Sequence, residues 1–404
     1  LKYVILGAGP AGLTIGNMLL RAKETSFVIL EKEAVAGGLC RSTLVDGAPF
    51  DIGGGHFLDV RRPAVNRFLF EFMPESEWDQ YDRVSKIRLG AEIVDHPIEA
   101  NIWQMNVDSQ VEYLASIARA GCVTGSPMPE KFVDWIYWKL GDRIADEYMI
   151  PYNRKLFSDD LDSLGTYWLD KLPSVSFEET LRSCLTHRAY GAQPGHARFY
   201  YPKKYGYGEL WLRLAGALDG HIEYGADVKA IDFDAKAVQT ADGRRFAADR
   251  IITTIPWAGF TRISGMPEDI RSGIRMLRHS AVETRYYGGR LDTDAHWIYE
   301  PDPWAAHHRI LVRHNFCPGS RGYWTETRSD RIGLIPEGGR GNYHYENPYA
   351  YPLNTIGKPA IIRRLLDWAA SRGVYGVGRW GEHQHYNSDA TVELAMKMAE
   401  RMQM

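Results

Sequence analysis

The chain has little of what marks secreted, nucleic-acid-binding or membrane-spanning proteins. Only four cysteines, Cys40, Cys122, Cys184 and Cys317, occur in 404 residues, and none forms a Cys-x-x-Cys pair. Such isolated thiols exclude a disulfide framework and fit a cytoplasmic protein. Charge of one sign is also missing. The 48 Lys and Arg against 51 Asp and Glu leave a formal net charge of −3, so no basic field exists for nucleic acid or an anionic membrane. No apolar run approaches the roughly 18 residues that span a bilayer. No charged segment with a cleavage site precedes the first apolar stretch "YVIL", so no signal peptide is expected. Metal-spaced His, Cys or carboxylate clusters and a catalytic triad are absent as well. His307 and His308 are adjacent, and on a strand such side chains diverge.

What is present is an ordinary globular composition, 45% hydrophobic and 25% charged, long enough for two or three domains. The 23 Tyr and 12 Trp suit a large, partly aromatic-lined ligand site. The first thirty residues are the most informative. The apolar run Tyr3 to Leu6 reads as a buried parallel strand. Gly7-x-Gly9-x-x-Gly12 follows at once, then the periodic apolar residues of a helix, then a second strand ending in Glu31. Gly7 makes the turn, Gly9 lets the backbone approach a pyrophosphate, and Gly12 lets helix and strand pack closely. The helix start supplies N–H groups for phosphates. Glu31 accepts from ribose hydroxyls. Strand, fingerprint, helix, strand and acid in one unit predict a dinucleotide-binding Rossmann unit.

Beyond Glu31 lie Gly37-Gly38 and then "FDIGGGHF", residues 50 to 57. A second Gly-Gly followed by Asp-x-Gly-Gly resembles the extended fingerprint of the large FAD-binding family of amine oxidases, phytoene desaturases, protoporphyrinogen oxidases and UDP-galactopyranose mutases. The resemblance implies FAD, with NAD the lesser alternative. It implies that Gly38, Gly54 and Gly55 lie close to the cofactor, that a flat ring rests on the Gly53–Gly55 backbone, and that His56 faces the flavin. In such enzymes "HIEYGADVKAIDFDAKAVQTADGRRFAADRIITTIPW" returns to the FAD domain with Val228 near the adenine. "GVYGVGRWGEHQHYNSDATVELAMKMAERM" reads as strand, glycine-rich loop and helix. Asn387, Ser388 and Asp389 sit at that helix start, with Ser388 and Asp389 as candidate caps.

The middle of the chain resembles UDP-galactopyranose mutases of the eukaryotic type. Pro151-Tyr152-Asn153-x-Lys155 matches a helical-domain motif of that family, with Phe157 in place of its Trp. Pro97, Asn101 and Ile102 match another stretch, in which Ile98 and Glu99 replace Phe and Gln. Tyr299 and Arg309, ten residues apart, and the Tyr351-Pro352 pair stand where the mutases hold a substrate pyrophosphate. Lys171 replaces a second arginine there, a point charge instead of a fork. His385 stands where a tyrosine is expected, and Arg379 falls in a Gly-Arg-aromatic-Gly motif.

The resemblance implies an α/β fold: a discontinuous Rossmann-type FAD-binding domain (1–75, 195–260 and 355–404), an inserted helical domain (100–190) and an antiparallel β-sheet substrate domain (78–98 and 261–354). It implies that reduced FAD uses N5 as a nucleophile at the anomeric carbon of a nucleotide-diphospho-sugar, interconverting pyranose and furanose forms with no net redox. His56, Arg309 and Arg379 are the expected catalytic residues. Asn101, Tyr152, Asn153, Phe157, Lys171, Tyr299, Arg309 and Tyr351 are the expected substrate contacts. An electron donor, NAD(P)H or a reductase, would keep the flavin reduced. The glycine-rich "KKYGYGE" segment is a candidate lid. Two rivals stay open: an FAD-dependent oxidase or desaturase acting by hydride transfer, and a flavin-binding scaffold without catalysis.

Overall fold

The computed structural model describes every residue except 170–171, 192–196, 337–338, 340 and 404. Five strands, Tyr3–Leu6, Phe27–Leu30, Ile222–Glu223, Arg250–Thr253 and Val374–Gly376, form one parallel sheet. Numbered along the chain, their spatial order is 3-2-1-4-5. The central strand Tyr3–Leu6 is completely buried, as a parallel sheet covered on both faces requires. Helix Pro10–Arg21 covers one face and packs against the C-terminal helix Ser388–Arg401. Gly12 has no alternative there, because a Cβ on it would lie 2.0 Å from the Gly7 carbonyl oxygen. The order reverses between Tyr3–Leu6 and Arg250–Thr253, and ligands of open α/β sheets bind at the strand ends beside such a switch point.

A second, seven-stranded sheet runs in the order Tyr343–Pro352, His279–Tyr287, Tyr323–Arg328, Arg309–Leu311, Trp297–Tyr299, Ser85–Leu89, Glu92–Asp95. It is antiparallel save for one pair: Trp297–Tyr299 runs parallel to Ser85–Leu89, because the two segments come from distant parts of the chain. Strand Trp78–Asp82 pairs with Arg198–Pro202 instead of joining this sheet. Strand Arg262–Ser264 pairs with Val228–Asp232, and helix Glu268–Met276 packs on helix Lys358–Ser371. The seven-stranded layer therefore draws on narrower stretches than 78–98 and 261–354.

Between Asp95 and Arg198 the secondary structure of the described residues is mainly helical. Helices Val107–Ala118, Phe132–Ile144, Ile150–Leu156 and Phe177–Thr186 enclose a core that includes Phe132, Ile136 and Ile144. The long helical stretch breaks at Gly141, whose φ is 73°, and widens into a π-turn over Ala145–Met149. Pro151 then sits in the first turn of its helix, where its missing N–H breaks no internal bond. The break thus precedes the Pro-Tyr-Asn run and is not caused by it.

Candidate active site

A cavity of about 840 Å³ runs from the switch point of the parallel sheet, past the glycine loop at 53–55, into the gap between the seven-stranded sheet and the helical insert. Gly7, Gly9, Glu31, Gly38 and Val228 line its first part. Gly9 is the N-cap of helix Pro10–Arg21, in extended backbone with no side-chain cap, so the first-turn N–H groups remain available to an anion. A Cβ on Gly9 would meet only the Gly38 Cα, at 3.9 Å. The absent side chain leaves open space that a ligand backbone can enter. Glu31 is buried and accepts from the Ala8 and Glu33 N–H groups at 2.8 and 2.9 Å. Burial pushes its carboxyl up. With four lone-pair sites and two of them used, it can still accept from ribose hydroxyls. This first part therefore fits an adenine dinucleotide.

The opposite wall is the start of the C-terminal helix, where Asn387, Ser388 and Thr391 line the cavity. Asn387 is the N-cap without a side-chain bond, so the caps expected at Ser388 and Asp389 are not formed. The Ser388 hydroxyl pairs with that of Tyr207 at 2.6 Å. Asp389 does not line the cavity, because Arg62 holds its carboxylate at 2.6 Å.

The three glycines before His56 are also constrained from behind the loop, and Gly53 and Gly55 line the cavity. A Cβ on Gly53 would lie 2.0 Å from the Leu39 carbonyl, on Gly54 2.2 Å from the Glu326 carboxylate, and on Gly55 2.0 Å from Leu311. The protein's own packing behind the loop demands glycine, and Gly54, at φ 91°, does not line the cavity. His56 does. Its Nδ1–H donates to the Gly54 carbonyl at 3.0 Å, and burial holds the imidazole down to about 4. The ring is thus neutral at physiological pH, with Nε2 left to accept. Tyr207 lies parallel to it at 6.0 Å. The "KKYGYGE" segment is no lid: Tyr207 is fully buried and the Gly208 N–H donates to Ser42 Oγ at 2.7 Å.

Past the glycine loop the cavity becomes basic and hydroxyl-rich. Arg309 and Glu326 are directly paired across neighbouring strands. The carboxylate accepts from Arg309 Nε at 3.0 Å, from Nη2, and from the Gly55 N–H at 3.1 Å. Despite burial, the Arg309 charge and His308 hold Glu326 down to about 2. Burial works against the Arg309 charge and Glu326 supports it; Tyr152, Tyr299 and Tyr351 line the same cavity as the guanidinium. Among the described residues no hydrogen-bond partner reaches the Tyr152 or Tyr351 hydroxyl. Tyr299 Oη accepts from Arg83 Nη2 at 2.9 Å and from Trp297 Nε1 at 3.1 Å, which leaves its own proton to donate outward. Arg379 gives its N–H groups to the Ala350 and Tyr386 carbonyls and lies 5.2 Å over the Tyr351 ring. Asn153, Phe157 and His385 complete this part.

Residues 5–72 match the model of an NAD(P)-binding Rossmann-like domain. Among curated proteins, hydroxyneurosporene desaturase of Rubrivivax gelatinosus is 44% identical over 52 residues, which is 13% of this chain and only 10% of that relative. Among solved structures, an Exiguobacterium protein designated a protoporphyrinogen oxidase aligns with 99% of this chain and 98% of its own, at a TM-score of 0.71 and 14% identity. A reduced UDP-galactopyranose mutase aligns with 100% of this chain and 93% of its own, at a TM-score of 0.90 and 22% identity. The fold is that of UDP-galactopyranose mutase.

Within this mutase fold, one cavity gathers His56, Arg309, Arg379, Gly7, Gly9, Glu31, Gly38, Gly55, Val228, Asn387, Ser388, Tyr152, Asn153, Phe157, Tyr299 and Tyr351. Gly12 stays outside it, behind the Gly7 turn. Asn101 also stays outside: it is buried and its amide donates to the Pro97 carbonyl at 2.9 Å, which closes the short helix Ile98–Asn101. Lys171 lies outside the described residues. Arg83 and Glu326 were not singled out from the sequence. Neither stands in a motif; strand pairing brings Arg83 to the cavity and sets Glu326 behind Arg309. Among the described residues no group of three His, Cys, Asp or Glu side chains could hold a metal, and no helix is long and apolar enough to cross a membrane.

Proposed function

We propose that this chain is an FAD-dependent mutase that interconverts pyranose and furanose forms of a nucleotide-diphospho-sugar. The observation that carries the reading is that Arg309 and the tyrosines Tyr152, Tyr299 and Tyr351 line one cavity together with the dinucleotide cradle. An amine or alkene substrate has no use for such a cluster, whereas a diphosphate needs several donors and a cation. When bound and reduced, the flavin supplies the nucleophile for the anomeric carbon, and electrons are conserved over the cycle. The residues divide the rest of the work. Gly7, Gly9, Gly38 and Glu31 hold the dinucleotide, and the start of the C-terminal helix faces its flavin half. Neutral His56 offers an acceptor nitrogen beside the flavin. Arg309 and the three hydroxyls retain the displaced diphosphate so that it can recombine with the sugar after ring exchange. Arg379, fixed by backbone carbonyls, adds positive potential without leaving its place. An electron donor, NAD(P)H or a reductase, is needed only to reduce the flavin, and a cytoplasmic setting would provide one.

The test is an anaerobic assay of holoprotein with dithionite-reduced or oxidised flavin, offered a panel of nucleotide-diphospho-sugars and read by chromatography. Isomerisation with reduced flavin alone, lost in Arg309→Ala, is the expected result. Flavin reduction by an added amine or alkene, with no isomerisation, would replace this reading by an oxidase.

A further inference from the structure

Glu99 is out of place by the ordinary rules of protein interiors. It follows Pro97 on the short helix Ile98–Asn101, is 9% exposed, and faces the cavity together with Trp135, Leu140 and Tyr148. Apart from its own backbone N–H, no donor among the described residues reaches its carboxylate. Lys139 acts on it only at a distance, since the ammonium donates to the Val175 carbonyl at 3.1 Å. Burying a carboxylate without hydrogen bonds is costly, so such groups are normally paired. Here the missing partner can only come from what fills the cavity.

The position of Glu99 relative to the diphosphate cluster is defined by aromatic rings. Tyr299 packs on Tyr152 at 5.3 Å, Tyr152 on Tyr148 at 5.7 Å, and Tyr148 and Glu99 line the same cavity. Two ring-to-ring steps separate a diphosphate on Tyr299 from the carboxylate, a span suited to a nucleoside. The flanking Trp135 and Tyr148 supply flat apolar surface of the kind that takes a base.

We infer that Glu99 reads the nucleobase and that the base is guanine, so that the substrate is a guanosine diphospho-sugar; this rests on the nucleotide-sugar reading above. An ionised carboxylate is acceptor-only and can take two parallel N–H donors. Guanine sets N1–H and N2–H side by side and meets both oxygens. Uracil and thymine place one N–H between two carbonyls, so one of their oxygens would oppose a carboxylate oxygen. Cytosine and adenine set an amino group next to a ring acceptor and satisfy one oxygen only. A site built to receive donors rejects a ligand that lacks them far more strongly than an apolar pocket can. Burial pushes the Glu99 carboxyl up, with its own backbone N–H and Lys139 acting the other way, and the two donors, once bound, favour the ionised form.

Calorimetric titration of the holoprotein with GDP, UDP and CDP at pH 8 tests this without turnover. Wild type is expected to bind GDP at least tenfold more tightly than UDP. In Glu99→Gln the amide presents one acceptor and one donor, which match the N3–H and a carbonyl of uracil, and the preference should move towards UDP by tenfold or more. The unfolding midpoint of the isosteric variant serves as the check on folding. Tighter binding of UDP than GDP by wild type, with affinity still dependent on Arg309, would overturn the guanine inference and leave the mutase reading intact. An unchanged GDP-to-UDP ratio in Glu99→Gln would overturn it equally. If no nucleoside diphosphate binds, the mutase reading fails and this inference with it.

Discussion

Arg309 and Glu326 stand opposite each other on adjacent antiparallel strands, and the same carboxylate that grips the guanidinium also holds the Gly55 N–H. One buried acid thereby ties the proposed diphosphate cation to the glycine loop beside the flavin position. Removing one member of such a pair strands the other. Glu326→Ala is expected to lose about 3–5 kcal/mol of stability, seen as a lower urea midpoint. Arg309→Lys keeps the charge but loses the fork. It should weaken nucleoside diphosphate binding at least tenfold while altering the midpoint far less than Glu326→Ala does. Equal losses of stability in the two variants would show that the pair is structural only.

Tyr299 and Tyr351 offer the same hydroxyl in different settings. Tyr351→Phe removes a group that no described residue engages, so only ligand affinity should fall, by about 10- to 100-fold if a hydrogen bond to a charged group worth about 1.5–3 kcal/mol is lost. Tyr299→Phe also deprives Arg83 and Trp297 of an acceptor. It should cost about 1–3 kcal/mol of stability as well. Thermal unfolding and nucleotide titration of both variants separate the two cases.

Gly9 and Gly54 should respond to alanine in opposite ways. At Gly9 the backbone is already extended and the nearest protein atom to a Cβ lies 3.9 Å off, so Gly9→Ala should fold normally and lose the dinucleotide. At Gly54 a Cβ would strike the Glu326 carboxylate at a φ of 91°. That variant should be destabilised even without cofactor. The flavin content and the unfolding midpoint of the apoproteins provide the comparison.

Asp51 carries the pH dependence. It is fully buried, accepts from Ser42 Oγ at 2.5 Å and Tyr201 Oη at 3.0 Å, and burial pushes its carboxyl up to about 7. Because the folded value lies above the unfolded one near 3.9, its contribution is complete at low pH. It is lost as pH rises through about 7, at up to roughly 1.4 kcal/mol per pH unit across that window. Asp51→Asn cannot ionise. Its stability relative to wild type should therefore improve between pH 5 and pH 8, measured by urea unfolding at each pH. A constant difference would place the Asp51 carboxyl in its ordinary range.

Local signals in the sequence were sufficient for the Rossmann unit, because turn, fingerprint, helix and acid lie within thirty consecutive residues and each depends on its immediate neighbours. Tyr299, Arg309 and Tyr351 were legible through their resemblance to mutase motifs, and the structure brings them to one cavity. The glycine run at 53–55 was legible as a constraint, but the packing behind it was not. The atoms it avoids belong to Leu39, Glu326 and Leu311, two of them more than 250 residues away in sequence.

What only the tertiary structure decided follows from that distance. Glu326 became the anchor of the site through strand register, and Arg83 entered the cavity because Ser85–Leu89 pairs with Trp297–Tyr299. Asn101 and Asp389 were turned away from it by the Pro97 carbonyl and Arg62. Glu99 emerged as an unpaired buried acid only once the packing around it was known. A sequence pattern determines which backbone conformations and which donors are available within a few residues. Which of them face a common ligand depends on non-local pairing, where a single strand register or one ion pair decides whether a side chain points into the cavity or away from it.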